Sequence, residues 1–230
     1  MLADTVLADT ALADTVQRGP VARSALQLYD RLLGPRGVPR NTRGAFRGLG
    51  RGTVAVDCGA NVGRVTALLA ARGADVYAFE PNPHAFEVLA QRFTANPRVR
   101  CLPHAVAATA GVARLHLHVN AQADQLMWST GSSLFAAKPN VDPATFVAVE
   151  TIDLDVFLDG LGRDVRVLKL DVEGAEIEIL ERLLESGRLQ AIEHVLVELH
   201  DRIPGLEVRG AELRRRLAVP GYDHVRLGWI

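Results

Sequence analysis

Val54-Ala55-Val56-Asp57-Cys58-Gly59-Ala60-Asn61-Val62-Gly63 is the stretch on which the reading of this chain turns. A short apolar run ends in a carboxylate, a turn with glycines at 59 and 63 follows, and helical spacing begins at once. Strands buried on both faces read as continuous apolar runs, so Thr53 to Cys58 is expected as an interior strand. Val62 to Ala71 is expected as the helix behind it, stopped by Gly73. A second run, Asp75 to Phe79, ends in Glu80. Pro83 to Thr94 supplies the next helix, with Pro83 suited to its first turn. Strand, tight turn, helix and strand in this order build a parallel sheet whose ligands sit outside the strands' carboxyl ends.

Working outward, Val99 to Leu102 starts a third strand. Ala113 to Val119 alternates strictly and is expected as a strand with one wet face. His116 and His118 fall on that face, and with no third ligand in view they read as solvated rather than metal-binding. Asn120 to Pro143 is polar and irregular, Phe146 to Val149 returns to a strand, and Asp153 to Leu158 forms a short helix. Val165 to Asp171 is a further buried strand, and helical spacing runs on through Ile177, Leu180 and Leu184 to Gly187. Ile192 to Leu199 is the next strand, Ala211 to Leu217 a basic helix, and His224 to Ile230 a terminal strand. Upstream, Ser24 to Leu33 reads as a short helix and Gly34 to Gly52 as a loop. The unit Leu-Ala-Asp-Thr recurs from positions 2, 7 and 12, a period that matches neither helix nor strand. The expected class is α/β, a doubly wound, mostly parallel, Rossmann-like sheet. Its domain spans 51–230 with a β insert at 112–150, preceded by an N-terminal helical and loop extension over 1–50.

Hydrophobic residues make up 48% and charged residues 23% of the 230 positions, enough apolar matter for one ordinary core. Net charge is -1, which gives no electrostatic footprint for nucleic acid or an anionic membrane. Two cysteines, Cys58 and Cys101, both in apolar runs, argue against a disulfide framework or zinc site and for a reduced, cytoplasmic compartment. No run approaches a membrane span, and no basic segment followed by an apolar core marks a secretory signal.

The turn's chemistry narrows its ligand. Glycine lets backbone approach a ligand closely, and a pyrophosphate wants bare amides at a helix N-terminus. Asp57 and Asn61 crowd that region instead. A carboxylate there is unfavourable to a pyrophosphate and suits the ammonium and sulfonium of S-adenosylmethionine. Glu80, after the second strand, stands where an acidic residue accepts ribose hydroxyls. Lys169-Leu170-Asp171-Val172-Glu173-Gly174-Ala175-Glu176 puts four ionisable groups at the mouth of a buried strand, which is costly unless they pair or act. Glu198-Leu199-His200 closes the next strand, and histidine is the natural general base near neutral pH. A structural ion-pair network is the plain alternative for Lys169 and Glu176.

With these motifs in place the chain resembles the FkbM-type branch of the class I S-adenosylmethionine-dependent methyltransferases. The matching blocks are Val56 to Gly63, Phe79-Glu80-Pro81-Asn82-Pro83, Gly131-Ser132-Ser133, Leu168 to Glu176 and Glu198-Leu199-His200. The resemblance implies that Asp57, Gly59, Asn61 and Gly63 serve the methionine end of the cofactor and Glu80 the ribose. It further implies that His104 and Ala105 lie at adenine and Asp171 beside the transferred methyl group. Lys169, Asp171 and His200 are then the catalytic candidates, with His200 or Asp171 as base. It also implies O-methylation of a small molecule, such as a sugar, glycoside, polyketide or other secondary metabolite.

The acceptor pocket is expected between residues 120–150 and the N-terminal segment. Trp128 or Phe135 on its wall would favour a bulky glycoside. Class I enzymes usually end in an antiparallel strand pair. Here one clear strand follows Leu217, so either the chain ends early or an insert strand completes the sheet. A nicotinamide-dependent oxidoreductase and an inactive, methyltransferase-like interaction module are the competing readings. Magnesium on Asp171, Glu173, Glu198 and His200 is a less favoured variant than a metal-free site. A homodimer through the N-terminal extension stays open.

Overall fold

Runs such as Val54-Ala55-Val56 and Val167-Leu168 can form strands in water only if both faces are covered, and the fold covers both. The computed structural model describes residues 44–229. The N-terminal repeat, the helix expected from Ser24 to Leu33 and any subunit contact through the extension lie outside the described residues. The first half runs β1 (Val54–Cys58), α1 (Arg64–Ala71), β2 (Asp75–Phe79), α2 (Pro83–Phe93) and β3 (Val99–Leu102). The insert supplies β4 (Ala105–Ala107), β5 (Gly111–His118) and β6 (Val141–Asp153). The second half runs α3 (Leu154–Gly160), β7 (Val165–Leu170), α4 (Glu176–Glu185), β8 (His194–Val197), α5 (Glu207–Leu217) and β9 (Val225–Leu227).

The main sheet has six strands in the order β3-β2-β1-β7-β8-β9, every pair parallel. Strand order reverses between β1 and β7, and a crevice opens at such a switch point beyond the strands' carboxyl ends. Val56, Cys58, Tyr77, Phe79, Leu168 and Leu170 pack on one face with α3, α4 and α5. Ala55, Val76, Ala78, Val167 and Leu196 pack on the other with α1 and α2. Local signals set the helix starts. Asn82 caps α2 by accepting from the backbone N–H groups of His84 (3.0 Å) and Ala85 (3.4 Å), with Pro83 first in the helix. Gly63 precedes α1 at φ 80°, and a Cβ there would lie 2.5 Å from Phe93 and 2.7 Å from Leu89. The bare backbone is what lets α2 lie against the turn.

Several expectations are corrected. The insert strands do not complete the main sheet but form one of their own, ordered β4-β6-β5. β4 is only three residues long, too short to carry a period, whereas β6 runs through Pro143 to thirteen residues. The terminal strand pairs parallel to β8, Val195 opposite Val225, rather than closing an antiparallel pair. The face of His116 and His118 is wet only in part, with Arg114 exposed, His118 half-buried and His116 buried. His116 is buried against Phe146 of the neighbouring strand, and His118 stacks on Trp128 at 4.4 Å, because the insert folds back over that face. Ahead of β1, Ala45 and Phe46 are already buried in the core on the α1 side. Among the described residues no helix is long and apolar enough to cross a membrane.

Candidate active site

The glycine turn is clamped from below before it meets any ligand. Gly59 and Ala60 both donate backbone N–H groups to the carbonyl of Phe79, at 3.0 and 2.8 Å, which draws the turn onto the end of β2. Asp171 donates its N–H to the carbonyl of Cys58 (3.2 Å), tying the other side to β7. The approach is so close that a Cβ on Gly59, at φ 76°, would fall 1.8 Å from the Asp171 carbonyl oxygen. Only glycine fits there.

Lys169 fixes the floor. Asp57 and Lys169 are register partners on neighbouring parallel strands, so their side chains leave the sheet on the same face. The ammonium donates to the carbonyls of Cys58 (3.2 Å) and Gly59 (2.6 Å) and lies 3.4 Å from Asp57 and 3.3 Å from Asp171. Burial pulls its proton affinity down, yet the carboxylates of Asp171 and Asp57 outweigh that and hold it above the ordinary lysine value. Asp57 is fully buried. One of its oxygens accepts from the Thr66 hydroxyl at 2.6 Å, which ties it to α1.

Above the floor lies a cavity of about 340 Å³, within the range typical of small-molecule sites. Gly59, Asn61, Glu80, Ala105, Lys169 and Asp171 line it, together with Glu173 and Glu198. Asp57, Gly63, His104 and His200 stand behind this lining. Gly63 is used in helix packing, and His104 is buried with Nε2 3.3 Å from Glu150 of the insert sheet. Glu80 braces two loops at once. Its carboxylate accepts backbone N–H groups from Asn61 (2.8 Å) and Asn82 (2.8 Å), and burial pushes it up to about 7 against those two bonds.

His200 is held between carboxylates. Nδ1 lies 3.0 Å from Glu176, Nε2 lies 3.1 Å from Glu173, and its side chain is 18% exposed. Burial works against the charged ring, but the Glu176 hydrogen bond and the charges of Glu176, Glu173 and Asp171 raise it to about 9. At neutral pH such a ring is an imidazolium, with no lone pair to accept a proton. His200, one of the two bases expected from the sequence, is therefore held as the cation. Glu173 itself sits at φ 60°, an unfavourable backbone for that residue. The Ser133 hydroxyl donating to its carbonyl (2.6 Å) and the Glu176 carboxylate accepting from Val172 (2.7 Å) and Gly174 (2.9 Å) hold the turn.

The insert roofs the cleft through polar links that composition could not reveal. The Asn61 amide donates to the Ser129 hydroxyl (2.9 Å) and the Asn82 amide to that of Ser132 (3.2 Å). Lys138 donates to the Gly131 carbonyl (2.9 Å) and pairs with Glu173 at 2.5 Å. Trp128 and Phe135, the expected wall aromatics, are engaged elsewhere, Trp128 on His118 and Phe135 against Gly174. The aromatic wall is instead Trp229, held by its backbone N–H donating to the Val197 carbonyl (3.0 Å). It lies far along the chain from the other site residues, so no local motif announces it.

The acidic and basic groups lining the cavity are Glu80, Asp171, Glu173 and Glu198 against Arg64 and Lys169. Asp171, Glu198 and His200 bring possible ligand atoms within 4.8 Å of one another. Residues 57–224 match the family model described as the methyltransferase FkbM domain. Over 145 residues the chain is 26% identical to a hexuronic acid methyltransferase, AglP, of Haloferax volcanii. That alignment covers 63% of this chain and 54% of the relative, so the chain spans about half the length of the curated protein it matches. No solved structure gives a significant match. The strand-end glycine turn, the Lys169 floor and the matched residues lead to one conclusion: the chain belongs to the FkbM methyltransferase family.

Proposed function

We propose that the protein is an S-adenosylmethionine-dependent O-methyltransferase acting on a hydroxyl of a small molecule, a sugar or glycoside foremost. The observation that carries this reading is the pair of acidic residues at the strand ends, Glu80 and Asp171, lining the cavity beside the Gly59 turn. Strand order alone does not discriminate, because this order also serves dinucleotide-binding folds. Charge does. Acidic groups at that turn disfavour a pyrophosphate and suit the ammonium and sulfonium of S-adenosylmethionine. The residues present fit that cofactor: Gly59 and Asn61 would flank its methionine end, the Glu80 oxygens its ribose hydroxyls, Ala105 its adenine, and Asp171 its sulfonium.

When bound, the cofactor supplies an electrophilic methyl group. The protein's share is then to position the nucleophilic hydroxyl in line and to remove its proton. Lys169 holds Asp171 and the Gly59 carbonyl in place rather than touching the acceptor. The name of the curated relative supports a sugar acceptor.

Calorimetric titration with S-adenosylhomocysteine and, separately, with NAD tests the cofactor; NAD binding without S-adenosylhomocysteine binding sinks the proposal. Transfer of tritiated methyl to a panel of methyl hexosides and hexuronides then tests the acceptor class. Label incorporated only into amines would replace the hydroxyl assignment.

A further inference from the structure

We infer that Glu198 is the general base of this site and that His200, which the sequence nominates, is a positioning residue that acts on it through charge rather than a hydrogen bond. The inference rests on the methyl-transfer reading above, and it follows from how each carboxylate around the strand ends is already engaged. Asp57 lies beneath the floor, bonded to Thr66 and facing Lys169. Glu80 spends its oxygens on the N–H groups of Asn61 and Asn82. Asp171 faces the Lys169 ammonium at 3.3 Å. Glu173 is shared between Lys138 and the His200 ring. Glu176 takes the N–H groups of Val172 and Gly174 and the Nδ1 side of His200. Glu198 differs from all of these. It lines the cavity, and its cationic neighbour is His200 Nε2 at 3.8 Å, beyond hydrogen-bond reach.

Its backbone is well anchored for the task. The Glu198 N–H donates to the Leu170 carbonyl at 2.9 Å, which sets the residue beside Asp171 at the mouth of the sheet. The charged groups around it are Lys169 in β7, Asp171 just past that strand, Glu173 on the turn before α4 and His200 beyond β8, with Lys138 paired to Glu173 and Glu176 to His200. Burial first, then the charge of Asp171, pushes the Glu198 carboxyl up to about 7, with His200 pulling the other way. A carboxylate that accepts a proton near neutrality is matched to general-base work. In the step itself the acceptor oxygen forms the new O–C bond, and the methyl group's C–S bond breaks with its electron pair left on sulfur. The hydroxyl proton passes to a Glu198 oxygen and from there to water.

The first test needs no acceptor. Full-length protein labelled with carboxyl-¹³C glutamate is titrated by NMR from pH 5 to 9, wild type beside Glu198→Gln. A resonance moving near pH 7 that is missing from the variant supports the inference. A Glu198 signal titrating in the ordinary range, about 4–5, overturns it. The second test uses tritiated S-adenosylmethionine and whichever methyl hexoside or hexuronide accepts label. Glu198→Gln should lower turnover by roughly 10²- to 10⁴-fold and abolish the rising limb of the pH profile near 7. Its affinity for S-adenosylhomocysteine should stay within about twofold, and Glu198→Asp should recover part of the turnover. His200→Gln should keep the rising limb but displace it. Wild-type turnover in Glu198→Gln overturns the inference, as does activity that EDTA removes and magnesium restores, since these groups would then be metal ligands. Wild-type protein that does not bind S-adenosylhomocysteine refutes the methyl-transfer reading and the inference with it.

Discussion

Replacing Lys169 by methionine tests whether the floor of the cleft is an ion-pair network or only well-packed side chains. Methionine keeps most of the apolar stem and removes the ammonium, so packing changes little. What is lost is the countercharge to Asp57 and Asp171 and two hydrogen bonds, to Cys58 and Gly59. The Lys169 side chain is 3% exposed and that of Asp57 is 0% exposed, so water cannot take the ammonium's place. Removing one partner of a buried pair costs about 3–5 kcal/mol. A chain of this size loses about 2–4 °C of melting temperature per kcal/mol, so the midpoint should fall by roughly 6–20 °C. Circular dichroism melts, backed by urea titration, read this directly. Adding Asp57→Asn should restore a substantial part of the loss, because the stranded carboxylate is then gone. A single variant that melts within about 2 °C of wild type would refute the network, as would a double variant no better than the single.

Other substitutions probe the same region. Gly59→Ala combines a left-handed backbone with a Cβ 1.8 Å from the Asp171 carbonyl, and should cost more than about 3 kcal/mol in urea unfolding; a wild-type midpoint would contradict the geometry. Glu80→Gln puts an amide donor against one of two N–H groups that need an acceptor. Affinity for S-adenosylhomocysteine should fall roughly 5- to 150-fold by calorimetry. His200 is raised to about 9 from its ordinary 6.5. Its stabilising contribution is therefore complete below pH 6.5 and fades as pH rises through 9. The difference in urea stability between wild type and His200→Gln should be flat below 6.5 and shrink across that window by at most roughly 3 kcal/mol. A difference that grows with pH would reverse the assignment.

The framework was legible where burial writes itself into composition. Strands β1, β2 and β7 are buried on both faces and appear as mostly apolar runs, and Asn82-Pro83 marks the start of α2 by its own chemistry. β4 was invisible because three residues carry no period, and of β6 only Phe146 to Val149 was legible because Asp142 and Pro143 look like loop. The ionisable residues were found, but not their partners. Nothing local says that Lys169 lies in register with Asp57, or that the turn at Glu173 bends that carboxylate onto His200. Strand-end position made His200 look like a base, and the cross-chain clamp by Glu173 and Glu176 is what makes it a cation. Trp229 reaches the cavity only because β9 runs parallel beside β8.

The collision at Gly59 bears on how such a cleft could be adapted to new acceptors. No side chain can be grown from that position, and the ammonium of Lys169 leaves its neighbours equally little latitude. The floor is closed to tuning. The roof is a different matter, because it meets the cleft through side-chain links such as those of Ser129 and Ser132, on a segment between strands that form their own sheet. Library diversity aimed at acceptor choice belongs between residues 120 and 140, with the glycine turn left untouched.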